Sequence, residues 1–165
     1  MKLGIRLLFV FFLLNGLAAF FVLRVFVVEI RPSVREVMED MMVDTANILA
    51  ELASDDLAAG RLTEGRFAAH VRNYASRPVD ARIWGLDKQS LDFRVYVTDA
   101  RGLVLFDSEN TAQGQDYSGW RDVARTLRGE YGARATRTVQ TDERTSVMYV
   151  AAPVLRDGAI LGVLT

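Results

Sequence analysis

The hydrophobic pattern changes twice along the chain, from an unbroken apolar block to helical periodicity and then to strand alternation. From Leu7 to Val28 only Asn15, Gly16 and Arg24 interrupt the apolar run. A helix of that length spans roughly 33 Å, enough for a hydrocarbon core of about 30 Å. Apolar residues on every face set it apart from an amphipathic surface helix. A cleavable signal peptide would need a shorter apolar core ahead of a small-residue site such as Gly16-Leu17-Ala18, but here the run continues through Phe20, Phe21, Val22 and Leu23 to Val28. The reading is an uncleaved transmembrane helix over 7–28, after a short leader, 1–6. Lys2 and Arg6 precede the helix and Glu29 follows it, so the positive-inside rule places the leader in the cytoplasm and 29–165 outside the inner (plasma) membrane, periplasmic or extracellular. Arg24 can snorkel to the outer headgroups.

Helical spacing follows. Ile30, Val34, Val37, Met38, Met41, Met42, Ile48, Leu49 and Leu52 recur among acids and Arg35, which predicts a long helix over 29–54, continuous with the membrane helix or slightly broken at Pro32. Val34, Val37, Met41, Ile48 and Leu52 form a stripe that a second copy of the chain could cover, or that could pack on the chain's own domain. Asp55, Asp56 and Gly60 punctuate the helix, and Thr63 reads as the N-cap of a second helix bearing Phe67, Val71 and Tyr74. Arg77-Pro78 ends it, and Val79 to Asp92 reads as a loop or short strand around Ile83 and Trp84.

From Phe93 the pattern is extended. Phe93 to Thr98 and Leu103 to Phe106 flank Asp99-Ala100-Arg101-Gly102, a hairpin turn. Asp116 or Ser118 is then placed to cap a short helix bearing Trp120, Val123, Ala124 and Leu127, stopped by Gly129. Tyr131 to Val139, Ser146 to Leu155 and Ala159 to Leu164 read as three more strands, with Pro153 marking an edge or a bulge. The predicted fold class is α+β: the long helix packed on a five-stranded antiparallel sheet of the PAS-like (Cache) kind, with the sheet drawn from 93–165 of an outer domain, 29–165.

Composition narrows the function. Of the 20 basic residues three lie in the first 28 positions, so 29–165 carries 17 against 21 acids, a net charge of −4 that offers nucleic acid no attraction. There is no cysteine, hence no thiolate ligand, thiol nucleophile or disulfide. No catalytic constellation, phosphate loop or metal-ligand spacing is present, and His70, one turn from Phe67 and Tyr74, reads as structural or surface.

The run Val95-Tyr96-Val97-Thr98-Asp99-Ala100-Arg101-Gly102-Leu103-Val104-Leu105-Phe106-Asp107-Ser108, the blocks Gly114 to Ser118, Leu127 to Gly129, Tyr131 to Arg134 and Ser146 to Pro153, together with Arg6-Leu7-Leu8, Asp44-Thr45-Ala46 and Leu49 to Ala53, resemble the sensor region of the CreC-type membrane histidine kinases. The resemblance covers nearly the whole chain and is weakest between Asp55 and Asp92. It implies a sensory module of a two-component system whose cytoplasmic kinase autophosphorylates on histidine and passes the phosphoryl group to a response regulator; the apolar stripe on 29–54 adds the expectation of a homodimer. ATP and Mg²⁺ are then expected only in a kinase region beyond Thr165, and none of these residues needs a cofactor. His70, on the outer side, is beyond the reach of ATP. A chemoreceptor, a cyclic-dinucleotide enzyme or an anchored binding or scaffold protein is the alternative output.

If the sheet face bearing Tyr96 and Thr98 looks into a PAS-like cavity, Tyr96, Thr98 and Tyr149 are expected to line it, with Trp84, Tyr117 and Trp120 from covering loops and Arg82 or Arg94 to pair an anionic ligand. The identity of the stimulus, small molecule or protein, is not written in these residues.

Overall fold

The computed structural model describes residues 3–90, 93–137 and 145–165, excluding the side chains of 29–34 and of residue 86. Two compact units divide at Met41/Met42. In the first, helix α1 (Leu3–Val25) is followed by π-helical bonding over Phe26–Ile30 and by the first turns of α2 (Arg31–Ala58). Pro32 accounts for the widened turn, because a proline has no N–H to donate to the carbonyl four residues back. Leu3–Val28 is apolar, long enough to cross a bilayer and nowhere buried, which fits a membrane anchor.

The second unit, Met42–Thr165, is α+β. Its five-stranded sheet is antiparallel throughout, in the order β4-β3-β7-β6-β5, where β3 is Tyr96–Asp99, β4 Val104–Asp107, β5 Gly132–Arg137, β6 Ser146–Arg156 and β7 Ala159–Leu164. One face packs on α2 and α3 (Arg66–Ala75). There Ala46, Ala50 and Ala53 meet Phe67, Val71, Val97, Phe106, Val154 and Leu164. Spaced i, i+4, i+7, these alanines share one side of α2, and their small side chains let the helix backbone approach the sheet. The larger Ile48 and Leu52 are exposed. Val37 and Met41 are exposed as well, and the side chain of Val34 lies outside the described residues.

Local capping differs from the sequence-based expectation. Thr63 does not cap α3, which begins after Gly65 with no side-chain bond from that position. Because α2 runs through Asp55-Asp56 to Ala58, it carries the buried Asp56 to the start of α3, where Oδ2 accepts the Phe67 N–H at 2.8 Å. Gly65 is needed beside it, since a Cβ there would lie 2.3 Å from the Asp56 carboxylate. Asp56→Ala is expected to lower stability by about 1–2 kcal/mol, read as a lower urea midpoint of the full chain in detergent. An unchanged midpoint would show that α3 does not depend on this bond.

The Val79 to Asp92 stretch contains a small hairpin, β1 (Ala81–Ile83) with β2 (Leu86–Lys88), turning at Trp84-Gly85 with φ of 50° and 84°; Leu91 and Asp92 lie outside the described residues. The β3–β4 turn is closed by Asp99, whose Oδ1 accepts the N–H groups of Arg101 and Leu103 at 2.8 and 2.9 Å. Gly102 has φ 88° and would place a Cβ 2.6 Å from the Cα of Ser118, so only glycine suits both the turn and the loop against it.

Helix α4 (Arg121–Thr126) has Trp120 at its N-cap, without a side-chain bond. Neither Asp116 nor Ser118 takes that place, because Asp116 Oδ1 accepts the Ser118 N–H at 2.8 Å and closes a turn within the loop. The expected Tyr131 to Val139 strand is described as Gly132–Arg137, positions 138–139 lying outside the described residues. Pro153 falls in an inner strand, yet β5 pairs with β6 only as far as Gly132↔Ala151. Beyond that point Pro153 has β7 alone beside it, and the register shifts immediately after, between Val154 and Leu155.

Candidate functional site

Alternation along β3 sends Val95 and Val97 to the helices and Tyr96 to the opposite face. That face carries a second core of Tyr96, Val104, Tyr117, Val123, Ala151 and Val163, with Leu127 and Tyr149 packed against it. A charged pair lies at its centre. Asp122, in the first turn of α4, is fully buried. Its Oδ2 accepts the Tyr96 hydroxyl at 2.5 Å and its Oδ1 accepts Arg134 Nε at 3.0 Å.

Arg134 is delivered by the strand register. Its cross-strand partner is Tyr149, and its guanidinium carbon lies 4.1 Å from the centre of that ring and 3.9 Å from that of Trp120. Trp120 stacks on Tyr117 with centroids 4.4 Å apart and planes at 20°, and Tyr117 meets Tyr96 edge-on at 5.3 Å. The result is an aromatic box holding one cation against one buried carboxylate, an arrangement in which ring quadrupoles and a carboxylate act together on a positive charge. Burial, and then the neighbouring Asp122 carboxylate, push the Tyr96 phenol well above its ordinary range, so it serves as a proton donor to Asp122 throughout the physiological pH range.

No protein-family model matches the chain. Over all 165 residues it is 50% identical to the sensor protein CreC of Escherichia coli (strain K12), and it spans about a third, 35%, of that protein's length. The sequence is CreC-like throughout.

In this CreC-like chain, four of the residues expected at a pocket converge: Tyr96, Tyr117, Trp120 and Tyr149 are all walls of the box. Arg94 borders it, 6.0 Å from the centre of the Tyr96 ring, but its guanidinium is committed to Asp107 through Nε at 3.0 Å and Nη2 at 2.8 Å. Those hydrogen bonds raise its pKa further above the ordinary arginine range. Thr98 is buried after a register shift in β3 and donates its hydroxyl to the Asp99 carbonyl at 3.0 Å. Arg82 and Trp84 lie elsewhere, on the β1–β2 hairpin: Arg82 pairs with Asp87 at 3.4 Å, and Trp84 is fully exposed at the tip. Asp122 and Arg134, the polar centre, were not singled out by the sequence reading. The one available signal was alternation in β5, which sets Arg134 on the same face as Gly132, the residue that abuts α4 at the Asp122 carbonyl.

On the helical side, α2 and α3 border a separate groove of about 1280 Å³ that includes His70, Tyr74, Phe93 and Leu155. It mixes Arg66, Arg77 and Arg156 with Glu51, Asp55 and Asp157, and Arg156 is paired with Asp55. This open, mixed-charge surface selects no ligand charge, whereas the box on the other face surrounds the chain's own Arg134 guanidinium. Among the described residues no cluster of His, Asp or Glu is arranged to hold a metal ion.

Proposed function

We propose that this chain is the extracytoplasmic sensory region of a two-component sensor histidine kinase. The reading is carried by the 50% identity to a sensor protein over the full 165 residues. A membrane-anchoring helix followed by an α+β domain with a built polar box on one sheet face supports it. This similarity also favours the kinase over a chemoreceptor, a cyclic-dinucleotide enzyme or a scaffold as the output.

The apolar helix suits an inner-membrane protein, and Lys2 and Arg6 ahead of it favour a cytoplasmic amino terminus with 29–165 on the outer side. The exposed Val37, Met41, Ile48 and Leu52 supply an apolar stripe suited to a homodimer. In the full-length protein, a stimulus would shift the population between two arrangements of the dimer's helices. That shift would set the rate of autophosphorylation by a cytoplasmic kinase using ATP and Mg²⁺, and thereby phosphoryl transfer to a response regulator.

Deleting 55–165 from the full-length protein is expected to abolish the stimulus dependence of response-regulator phosphorylation while leaving membrane insertion intact. A response of undiminished size after the deletion would sink the sensory assignment.

A further inference from the structure

The two arginine–aspartate pairs flanking Tyr96 are built differently. Asp107 accepts both Nε and Nη2 of Arg94 and also the backbone N–H groups of Glu109, Thr111 and Ala112, so both of its oxygens carry several donors. Asp122, equally buried, receives one donor on each oxygen among the described residues, from Arg134 Nε and from Tyr96. Among the described residues Arg134 Nη2 reaches the Tyr96 hydroxyl, at a long 3.5 Å. A carboxylate has about four acceptor positions, so among the described residues Asp107 has every position taken and Asp122 about half of them.

The placement of the partners differs in the same sense. Asp122 and Tyr96 are held inside the unit by α4 and by an inner strand. Arg134 comes from β5, the edge strand, and is held otherwise by the rings of Trp120 and Tyr149. Trp120 is 38% exposed and precedes α4 without a capping bond. The deepest part of the site is thus a buried carboxylate with aromatic walls, and the cation, its side chain 12% exposed, enters from the edge strand.

We propose that this box is a recognition site for a guanidinium-bearing ligand, such as an arginine side chain or terminus-blocked arginine derivative, and that Arg134 is the internal occupant such a ligand displaces. The proposal rests on the sensory role above and names the ligand class for its site. The ligand's planar cation would take the place of the Arg134 guanidinium between Asp122, Trp120 and Tyr149, leaving Arg134 to move outward to solvent. No bond is made or broken. Because Arg134 is tethered, it competes at a high effective concentration, and its removal should tighten binding; saturable binding with Arg134 still in place is what a purely structural ion pair would not predict.

The chain has two tryptophans, and Trp84 is fully exposed. Trp84→Phe therefore leaves Trp120 as the sole indole, sited in the box. Titrating that full chain in detergent with methylguanidinium chloride is expected to change Trp120 emission saturably, with no such change on equal additions of sodium chloride. In the Arg134→Ala background the half-point should fall at least ten-fold, and Arg134→Lys, which keeps a tethered but non-planar cation, should lie between. If Arg134→Ala does not fold, the Arg134→Lys comparison and the titration with Arg134 in place carry the test. Identical responses to methylguanidinium and sodium chloride, or half-points unmoved by replacing Arg134, would overturn the proposal. Such a failure would leave the sensory role standing, since that role is read from phosphorylation in the full-length protein and not from occupancy of the box.

Discussion

Replacing Asp107 with alanine is expected to destabilise the folded domain by about 3–5 kcal/mol, read as a large fall in the urea midpoint of the full chain in detergent. The magnitude follows from what the carboxylate holds. It closes the loop after β4 by accepting the N–H groups of Glu109, Thr111 and Ala112 at 3.2, 2.9 and 2.8 Å and the Thr111 hydroxyl at 3.0 Å, while Arg94 clamps it from β3's approach. Alanine strands these donors, and each buried one left unpaired costs about 1–3 kcal/mol. Arg94→Ala should cost less, about 1–2 kcal/mol, because the backbone donors keep their acceptor.

The same carboxylate gives the domain an acid limb. Burial opposes its charge, but the Arg94 hydrogen bonds and those from the Ala112 and Glu109 N–H groups outweigh that and hold its pKa well below the usual carboxylate range. A depressed folded pKa stabilises the native state fully above the unfolded value of about 3.9, and the contribution is lost as the pH falls from there toward the folded value. Stability measured between about pH 5 and pH 2.5 should therefore fall more steeply for the natural chain than for Asp107→Asn. Parallel curves would place the acid sensitivity elsewhere.

Gly162→Ala is expected to be at least as damaging as any substitution of one surface charge, by about 3 kcal/mol or more. Gly162 lies in β7, paired to β3 at Asp99, and a Cβ there would fall 2.0 Å from the Thr98 carbonyl oxygen and 3.2 Å from Leu57 Cδ2. The first of these is backbone in the adjacent strand, so relief requires breaking the β3–β7 ladder rather than turning a side chain. By contrast Gly158, in the open β6–β7 turn, has nothing within 4 Å of a Cβ but has φ 81°. Its alanine variant should lose only about 1 kcal/mol, a conformational cost. Thermal unfolding of the two variants side by side checks the ranking, and an equal loss at both sites would refute the steric argument.

Four box aromatics were legible before the fold, because Tyr96 and Tyr149 occupy alternating positions in β-rich runs and Tyr117 and Trp120 flank a turn-rich approach to a short helix. Their polar centre was not. An aspartate in a helix's first turn reads as a partner for the helix dipole, and an arginine between two alanines reads as a surface charge. Only the meeting of α4 with β5 buries Asp122 and brings Arg134 to it. Arg82 and Trp84 show the opposite case: their residue types suggested ligand contacts, but the hairpin that carries them holds both away from the box.

What this sequence determines by itself is local and periodic: the apolar block that must be shielded from water, the long helix beyond it, the order of the strands, and the turns that Asp99 and Gly102 impose. These depend on neighbours within a few residues, where backbone sterics and side-chain period suffice. Tertiary structure alone decides which face of α2 is buried, choosing Ala46, Ala50 and Ala53 over Ile48 and Leu52 because close approach to the sheet favours small side chains. It also decides that Asp56 caps a helix it does not belong to, and that Asp122 and Arg134 form a pair inside an aromatic box. Each of those outcomes joins residues distant in the chain, whose contact free energy exists only after the sheet has brought them together.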